Sequence, residues 1–314
     1  MTDPVTGAGT DAADGRAQGA DAAPAVRVVR VLVYPVKSLD PHPVERTRVV
    51  GDGGLRYDRE YAMVDADGDY VNGKRERAVH RLRSAFDPDG PTLSLSGPEF
   101  GPESYRLPTD GDPGDRDALT DRLSDYFGYR VDLRRDAAGG FPDDTTLSGP
   151  TVISTATLRE VASWFADRGV DVDGTRRRFR ANVELGPATD EGTDADGGTE
   201  TETEADPLPA FFEDRLFADR GEVVPFSVGG VAFEGVNPCQ RCVVPSRDPD
   251  TGAELDGFRE TFVRRREATL PPWTRSDRFD HPFRLMVNTR VPRESVGESF
   301  AVGDPVRVGA VRSE

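Results

Sequence analysis

The chain holds two cysteines, Cys239 and Cys242, three positions apart, with Arg241 between them and Arg247 just beyond. Thiolate, not thiol, is the metal ligand and the nucleophile, and neighbouring guanidinium groups favour the thiolate. The turn Asp248-Pro249-Asp250-Thr251-Gly252 follows, built from residues that fix sharp backbone geometry. The stretch reads as a ligand loop. Three chemistries compete for a Cys-x-x-Cys pair. A four-ligand zinc site needs two further ligands, but no second cysteine pair exists, and His42, His80 and His281 are scattered. A thioredoxin-like redox pair opens a helix after a strand, whereas this pair follows a β-hairpin pattern and enters Val243-Val244-Pro245. The third chemistry is a soft thiolate holding a transition-metal cofactor, with arginines and hydroxyls elsewhere gripping an anionic part of it.

Groups able to grip an anion recur upstream. The β-branched run Val26–Tyr34 reads as a strand and ends in Pro35-Val36-Lys37-Ser38, which can offer an ammonium and a hydroxyl. On residue type alone, a solvated loop lysine is the commoner use. The run Thr151–Glu160 reads as a short strand entering a helix, with Ser154 and Thr155 at the entrance and a capping-box spacing at Thr157 and Glu160. Free N–H groups make such an entrance an anion site, although simple capping is the more frequent use. Arg176-Arg177-Arg178-Phe179-Arg180 reads as a solvated basic patch beside a strand.

The rest of the chain sets limits. Its 314 residues suffice for one large domain or two smaller ones. No apolar run approaches the roughly 20 residues of a membrane helix, and no secretory pattern opens the chain, so a cytoplasmic protein without membrane contact is expected. The formal charge is −17. Residues 1–24 carry −3 and residues 188–207 carry −8, leaving −6 for the remainder. A mildly acidic body argues against nucleic-acid binding, which needs a basic surface. Lysine is confined to Lys37 and Lys74, and this arginine-for-lysine, acid-rich composition suggests a salt-adapted source with a GC-rich genome. A Schiff-base enzyme would have only those two candidates.

Many short extended runs separated by Gly and Pro turns predict a small barrel or sandwich. They fall at 44–50, in a hairpin around Asp65-Ala66-Asp67-Gly68, and at 78–86, 92–96, 105–107 and 129–133. Helical periodicity predicts a helix over 115–127, stopped by Gly128. The Gly-, Pro- and Asp-rich stretch 136–149 predicts a domain boundary. Beyond it, strands are expected over 223–228, 231–236, 284–291 and 305–311, with a helix over 258–267. Residues 1–24 are expected to form a disordered tail and 188–207 an acidic, mobile insertion.

Taken in order, several motifs resemble the MOSC proteins, named for the C-terminal domain of molybdenum-cofactor sulfurase, and among them the amidoxime-reducing components with an added N-terminal β-barrel. The matching stretches are Tyr34-Pro35-Val36-Lys37-Ser38, Gly54-Leu55 through Asp58-Arg59, Ser154-Thr155 with Thr157-Leu158, Phe179-Arg180-Ala181-Asn182, Cys239-Gln240-Arg241-Cys242, Asp248 through Gly252 and Val302-Gly303-Asp304-Pro305-Val306. Each alone is weak; their order along residues 26–312 is specific. Ala181 stands where the family motif commonly has Pro.

The resemblance implies a β-rich α+β fold. Residues 25–140 would form an N-terminal β-barrel-like domain, followed over 145–314 by a MOSC β-barrel domain with a few helices, both lining one cofactor cleft. It implies the molybdenum cofactor (molybdopterin), with Cys242 as molybdenum ligand and catalytic residue and Cys239 as a partner of undefined role. Lys37, Ser38, Arg59, Arg180, Asn182 and Arg241 would hold the pterin and phosphate, with Ser154 and Thr155 at the helix entrance. The implied activity is reduction of N-hydroxylated small molecules. Some relatives carry a fused ferredoxin domain; this chain has no spare cysteines for an iron–sulfur cluster, so a separate electron donor, a ferredoxin or flavoprotein, is expected. Two alternatives stand beside it. One is a sulfur carrier with a persulfide on Cys242, served by a cysteine desulfurase; the other is a cofactor-free binding barrel.

Overall fold

The computed structural model describes residues 26–143, 147–188 and 208–314. The tail expected at 1–24 lies outside these residues, as does the insertion expected at 188–207 apart from its first residue.

Seven strands close into a barrel. The run Val26–Val33 pairs with Val183–Pro187 on one side and with Pro305–Val308 on the other. The circuit continues from Val183–Pro187 through Val152–Ser154, Arg284–Arg290, Val231–Gln240 and Glu222–Val228 back to Pro305–Val308. Within it, Val183–Pro187 and Val152–Ser154 run parallel, and the other pairs are antiparallel. Alternating apolar residues fill the interior, among them Val28, Val31, Leu185, Phe226, Phe233 and Val287. Phe226 and Phe233 stack at 5.4 Å, and Phe300 meets Phe233 edge-on at 5.6 Å. The first strand of the described chain therefore closes a barrel whose other strands all come from beyond residue 150. The barrel is not contiguous in sequence, and the expected division near 140 does not separate it from the first strand.

A second layer carries most of residues 61–135. Tyr61–Asp65 pairs with Val131–Arg135, and Arg83–Asp87, Thr92–Gly97 and Phe100–Arg106 form a three-stranded sheet. Helix α1 (Arg116–Phe127) buries Leu119 and Leu123 against this layer and stops where Gly128 turns left-handed at φ 74°. The hairpin expected around Asp65–Gly68 is present as a tight turn with a single bridge, Val64 to Tyr70. The full ladder of Tyr61–Asp65 goes instead to a distant strand, a pairing that turn chemistry does not encode. The strand expected over 78–86 begins as a 3-10 turn, Arg77–Arg81, because the Glu76 carboxylate accepts from the Ala78 N–H and starts a helical turn.

Helices α2 (Thr155–Ser163), α3 (Val172–Phe179) and α4 (Phe258–Ala268) share a third, aromatic core, where Phe165 and Phe258 stack at 4.4 Å. The arginine run 176–178 lies on α3 rather than on a strand. It is not a solvated patch, since Arg176 bonds Glu184 at 2.8 Å and Arg178 is 5% exposed. The N-cap of α2 is Ser154, whose Oγ accepts from the Thr157 N–H at 3.1 Å, so the expected cap at Thr157 is displaced by one turn.

Under that cap lies Glu213, fully buried. Its Oε2 accepts from the Ser154 N–H and from Thr157 Oγ1 at 3.2 and 2.9 Å, while Oε1 has no partner. Burial, with the neighbouring Asp214 charge, pushes the Glu213 carboxyl up from 4.5 to about 7, against those hydrogen bonds. Between those two values the folded state binds more protons than the unfolded state, so stability falls as pH rises through that window and levels above it. Glu213→Gln should remove this slope. In urea unfolding, wild type should lose on the order of 2–3 kcal/mol between pH 4.5 and 8 relative to the variant. Parallel pH profiles would show that Glu213 does not titrate there.

Candidate functional site

Both layers face one cavity of about 560 Å³. Its wall gathers the Lys37-to-Pro41 segment, the loops around residues 58, 73 and 143, the end of α3 and the cysteine loop. The first barrel strand delivers Tyr34–Ser38 directly. Backbone bonds then lock the segment in place: Lys37 N–H to Tyr61 O at 2.7 Å, Tyr61 N–H to Pro35 O at 3.0 Å, and Arg59 N–H to Tyr34 O at 2.7 Å. Four non-glycine residues on this wall hold left-handed backbone, namely Ser38 (φ 78°), Arg59 (φ 54°), Arg180 (φ 60°) and Met286 (φ 72°). Such conformations cost of order 1–3 kcal/mol each and cluster where a ligand dictates geometry.

The cysteine loop is held from three sides. Arg178 Nη1 donates to the carbonyls of Pro245 (3.2 Å) and Arg247, fixing the 3-10 turn Val244–Ser246. Arg83 Nη2 reaches the carbonyls of Pro249 and Asp250, both at 3.2 Å, and Arg177 Nη2 bonds Asp250 Oδ1 at 2.8 Å. Within the turn, Asp248 Oδ1 accepts from the N–H groups of Asp250 and Thr251 and from Thr251 Oγ1. Gly252 is required there, because its φ is 71° and an added Cβ would meet Arg77 O at 2.7 Å.

Nine Lys or Arg side chains and three Asp line the cavity, in a chain whose formal charge is −17. Some of these charges are paired, such as Arg59 with Asp58 and Arg177 with Asp250. Three guanidiniums have no carboxylate within ion-pair distance among the described residues. Arg180 donates only to Leu39 O (2.8 Å) and packs 4.1 Å over the Tyr34 ring. Arg241 donates to Cys239 Sγ and Phe179 O, both at 3.0 Å, and its buried Nε has no partner. Arg247 donates to Gly73 O, and its buried Nε is likewise unpartnered. Burial pulls Arg180 below the ordinary guanidinium range, and the nearby Arg59 adds to the effect. Buried charge left without a counter-charge is costly unless a ligand supplies one.

The structure brings Lys37, Ser38, Arg59, Arg180, Asn182, Arg241 and Cys242 to this wall, with Cys239 beside them. Asn182 is committed internally; its Nδ2 donates to Leu32 O at 3.1 Å and its Oδ1 accepts from the Thr151 N–H at 3.2 Å. Ser154 and Thr155 are not on the wall. Ser154 is fully buried as the cap over Glu213, and Thr155 Oγ1 donates to Glu184 Oε1 at 2.8 Å, so the entrance of α2 already holds the chain's own carboxylates. Of the histidines, His80 lines the cavity and His42 and His281 do not. Burial lowers the His80 pKa, and Arg247, Arg180 and Arg83 add to this, so the ring stays neutral near pH 7. Among the described residues no three His, Cys, Asp or Glu side chains form a metal-holding cluster.

Sequence reading missed Arg178, Arg247 and Asp143 as parts of this wall, and Tyr34 as a support behind it. Tyr34 was visible only as a motif residue, yet it is fully buried, its Oη donates to Ala181 O at 3.1 Å, and its ring lies 4.8 Å from the Arg59 guanidinium and 4.1 Å from that of Arg180. Burial raises its hydroxyl pKa to about 12, against the pull of those two arginines.

Residues 25–168 match the family model of the MOSC N-terminal beta barrel domain. No curated protein matches the chain. The crystal structure of the YUAD protein from Bacillus subtilis aligns with 92% of this chain and 97% of its own at 11% identity, with a TM-score of 0.30, and carries no argument at that distance. No helix among the described residues is long and apolar enough to cross a membrane.

Arg180→Gln tests the unpaired charge. In ligand-free protein the variant should be as stable as wild type or about 1 kcal/mol more stable, because a desolvated charge is removed. Its affinity for inorganic pyrophosphate should fall about tenfold. Urea unfolding and calorimetric titration on the same samples read both effects.

Proposed function

We propose, on the premise that this chain is a MOSC-domain protein, that the cavity seats a pyranopterin molybdenum cofactor and that the protein is an oxidoreductase acting on N-hydroxylated compounds. MOSC domains are associated with molybdenum-cofactor sulfurase-like and reductase-like proteins. The observation that supports the reading is the trio of half-buried Arg180 and Arg241 and buried Arg247, around one cavity and without carboxylate partners among the described residues, with the Cys242 thiol on the same wall. A pterin that carries a phosphate fits that donor set, because planar guanidiniums bind phosphate through fixed, charge-assisted hydrogen bonds.

Cys242 is the residue assigned to the metal. With no cluster of three protein ligands among the described residues, a metal here would bring most of its ligands with it, and one thiolate completes the set. When bound, the cofactor would supply a metal able to take an oxygen atom from substrate and electrons from a donor. The chain's own contribution is placement. Lys37, Ser38, Arg59, Arg180 and Arg241 orient the pterin and phosphate, Asn182 braces the wall behind them through its bonds to Leu32 O and the Thr151 N–H, and Arg178 holds the backbone of the loop that carries Cys242. The electron donor is proposed to be a separate ferredoxin or flavoprotein.

A second reading has one observation in its favour. Arg241 Nη1 holds Cys239 Sγ at 3.0 Å, which keeps a second sulfur next to the Cys242 loop. A sulfur carrier with a persulfide on Cys242 would use such a pair, with a cysteine desulfurase as its source.

Elemental mass spectrometry on protein from a host that makes the cofactor separates the readings. About one molybdenum per chain, lost in Cys242→Ala, together with turnover of an amidoxime under chemical reductant, is the expected result. Metal-free protein that acquires a persulfide from a cysteine desulfurase would replace the reductase reading with the carrier.

A further inference from the structure

The only two lysines in the chain, Lys37 and Lys74, converge on one carboxylate. Lys37 Nζ lies 2.8 Å and Lys74 Nζ 3.5 Å from Asp143 Oδ1, at the lip of the cavity. Elsewhere the chain uses arginine for its basic side chains, so a pair of compact ammonium charges at one point is a local feature, not a consequence of composition. The two lysines reach Asp143 from separate segments. Lys37 comes from the end of the first barrel strand, where it is 8% exposed, donates also to Phe141 O at 2.8 Å and sits 5.3 Å from the Tyr70 ring centroid. Lys74 comes from the loop beside Gly73 and is 42% exposed.

Asp143 does not balance this site. It brings one negative charge to two ammoniums, and although its side chain is 64% exposed, against the pull of burial the Lys37 charge and hydrogen bond hold its carboxyl well below the usual carboxylate range, so it is a firmly held occupant. Lys37 is the constrained member, because burial lowers its pKa and only the Asp143 charge and hydrogen bond oppose that. Once Asp143 moves away, a nearly buried ammonium is left without a counter-charge.

We propose that Lys37 and Lys74 form a phosphate subsite whose resident occupant in the ligand-free protein is the chain's own Asp143, so that a phosphate-bearing ligand must displace that carboxylate to bind. A phosphate near neutral pH carries up to two negative charges and matches both ammoniums, which one carboxylate does not. The subsite differs from the unpaired arginines in composition and in partner, since Arg180, Arg241 and Arg247 have no carboxylate within ion-pair distance among the described residues. Ligand affinity is therefore set partly by an internal competitor. The inference rests on the cavity being an anion site, but not on a pterin or a metal.

Calorimetric titration of the full chain with inorganic phosphate at low ionic strength tests it. Asp143→Asn should bind phosphate about tenfold more tightly than wild type, because the competitor is gone and the lysines remain. Adding Lys37→Met to Asp143→Asn should abolish the gain. Asp143→Ser serves as a second removal of the carboxylate should the amide find its own bond to Lys37. Phosphate affinity unchanged or weakened in both single variants, or no phosphate binding by any of the proteins, overturns the proposal. Protein from a host that makes the cofactor, if it carries no molybdenum yet shows the gain, would sink the cofactor reading and leave this one standing. Protein that loads with molybdenum in that host, yet shows no gain once the cofactor has been removed, would do the reverse.

Discussion

Closure of the barrel by its first strand is the constraint on which the other features depend. Val26–Val33 hydrogen-bonds to Val183–Pro187 and to Pro305–Val308, so the start of the described chain is clamped between its middle and its end. What leaves that strand is Tyr34-Pro35-Val36-Lys37-Ser38, and the clamp determines where those side chains point. The same segment is stitched to residues 58–61, the edge of the second layer. One continuous run of backbone thus serves as barrel stave, hinge to the second layer and cavity wall. That is why a site assembled from distant parts of the sequence can have a defined shape.

Around that frame the charge is distributed unevenly. The chain as a whole is strongly acidic, yet its cavity is lined by basic groups. Most arginines next to the cavity do structural work on carbonyls and carboxylates. Arg178, Arg83 and Arg177 hold the loop that carries the cysteines. Arg180, Arg241 and Arg247, which line the same cavity, have no carboxylate within ion-pair distance among the described residues. The left-handed residues on the same wall belong to this pattern, as backbone strain tolerated where geometry matters more than stability.

The sequence revealed these parts unevenly. Strands with strong β-branched runs, such as 26–33 and 223–228, were legible because alternation reports a barrel face directly. Helix α1 was legible from its apolar spacing and terminal glycine. Helix α3 was not, since its arginines mask the apolar period with charges that only tertiary partners neutralise. The reassignment of Ser154 and Thr155 has a related cause. A capping signature shows that a helix begins there but not which face its first turn presents, and here the buried Glu213 and Glu184 occupy that face. Tyr34 and Asp143 were invisible for a different reason. Their roles come from two arginine planes and two ammoniums that converge only after folding.

The scarcity of lysine gives this surface an unusual chemical property. Both side-chain amines of the chain line one cavity, and they differ in exposure, 8% for Lys37 and 42% for Lys74. Acylating or carbonyl reagents that modify proteins through lysine therefore find almost nothing to react with on the rest of the fold. The ε-amine nucleophilicity of the whole chain is concentrated at that one cavity.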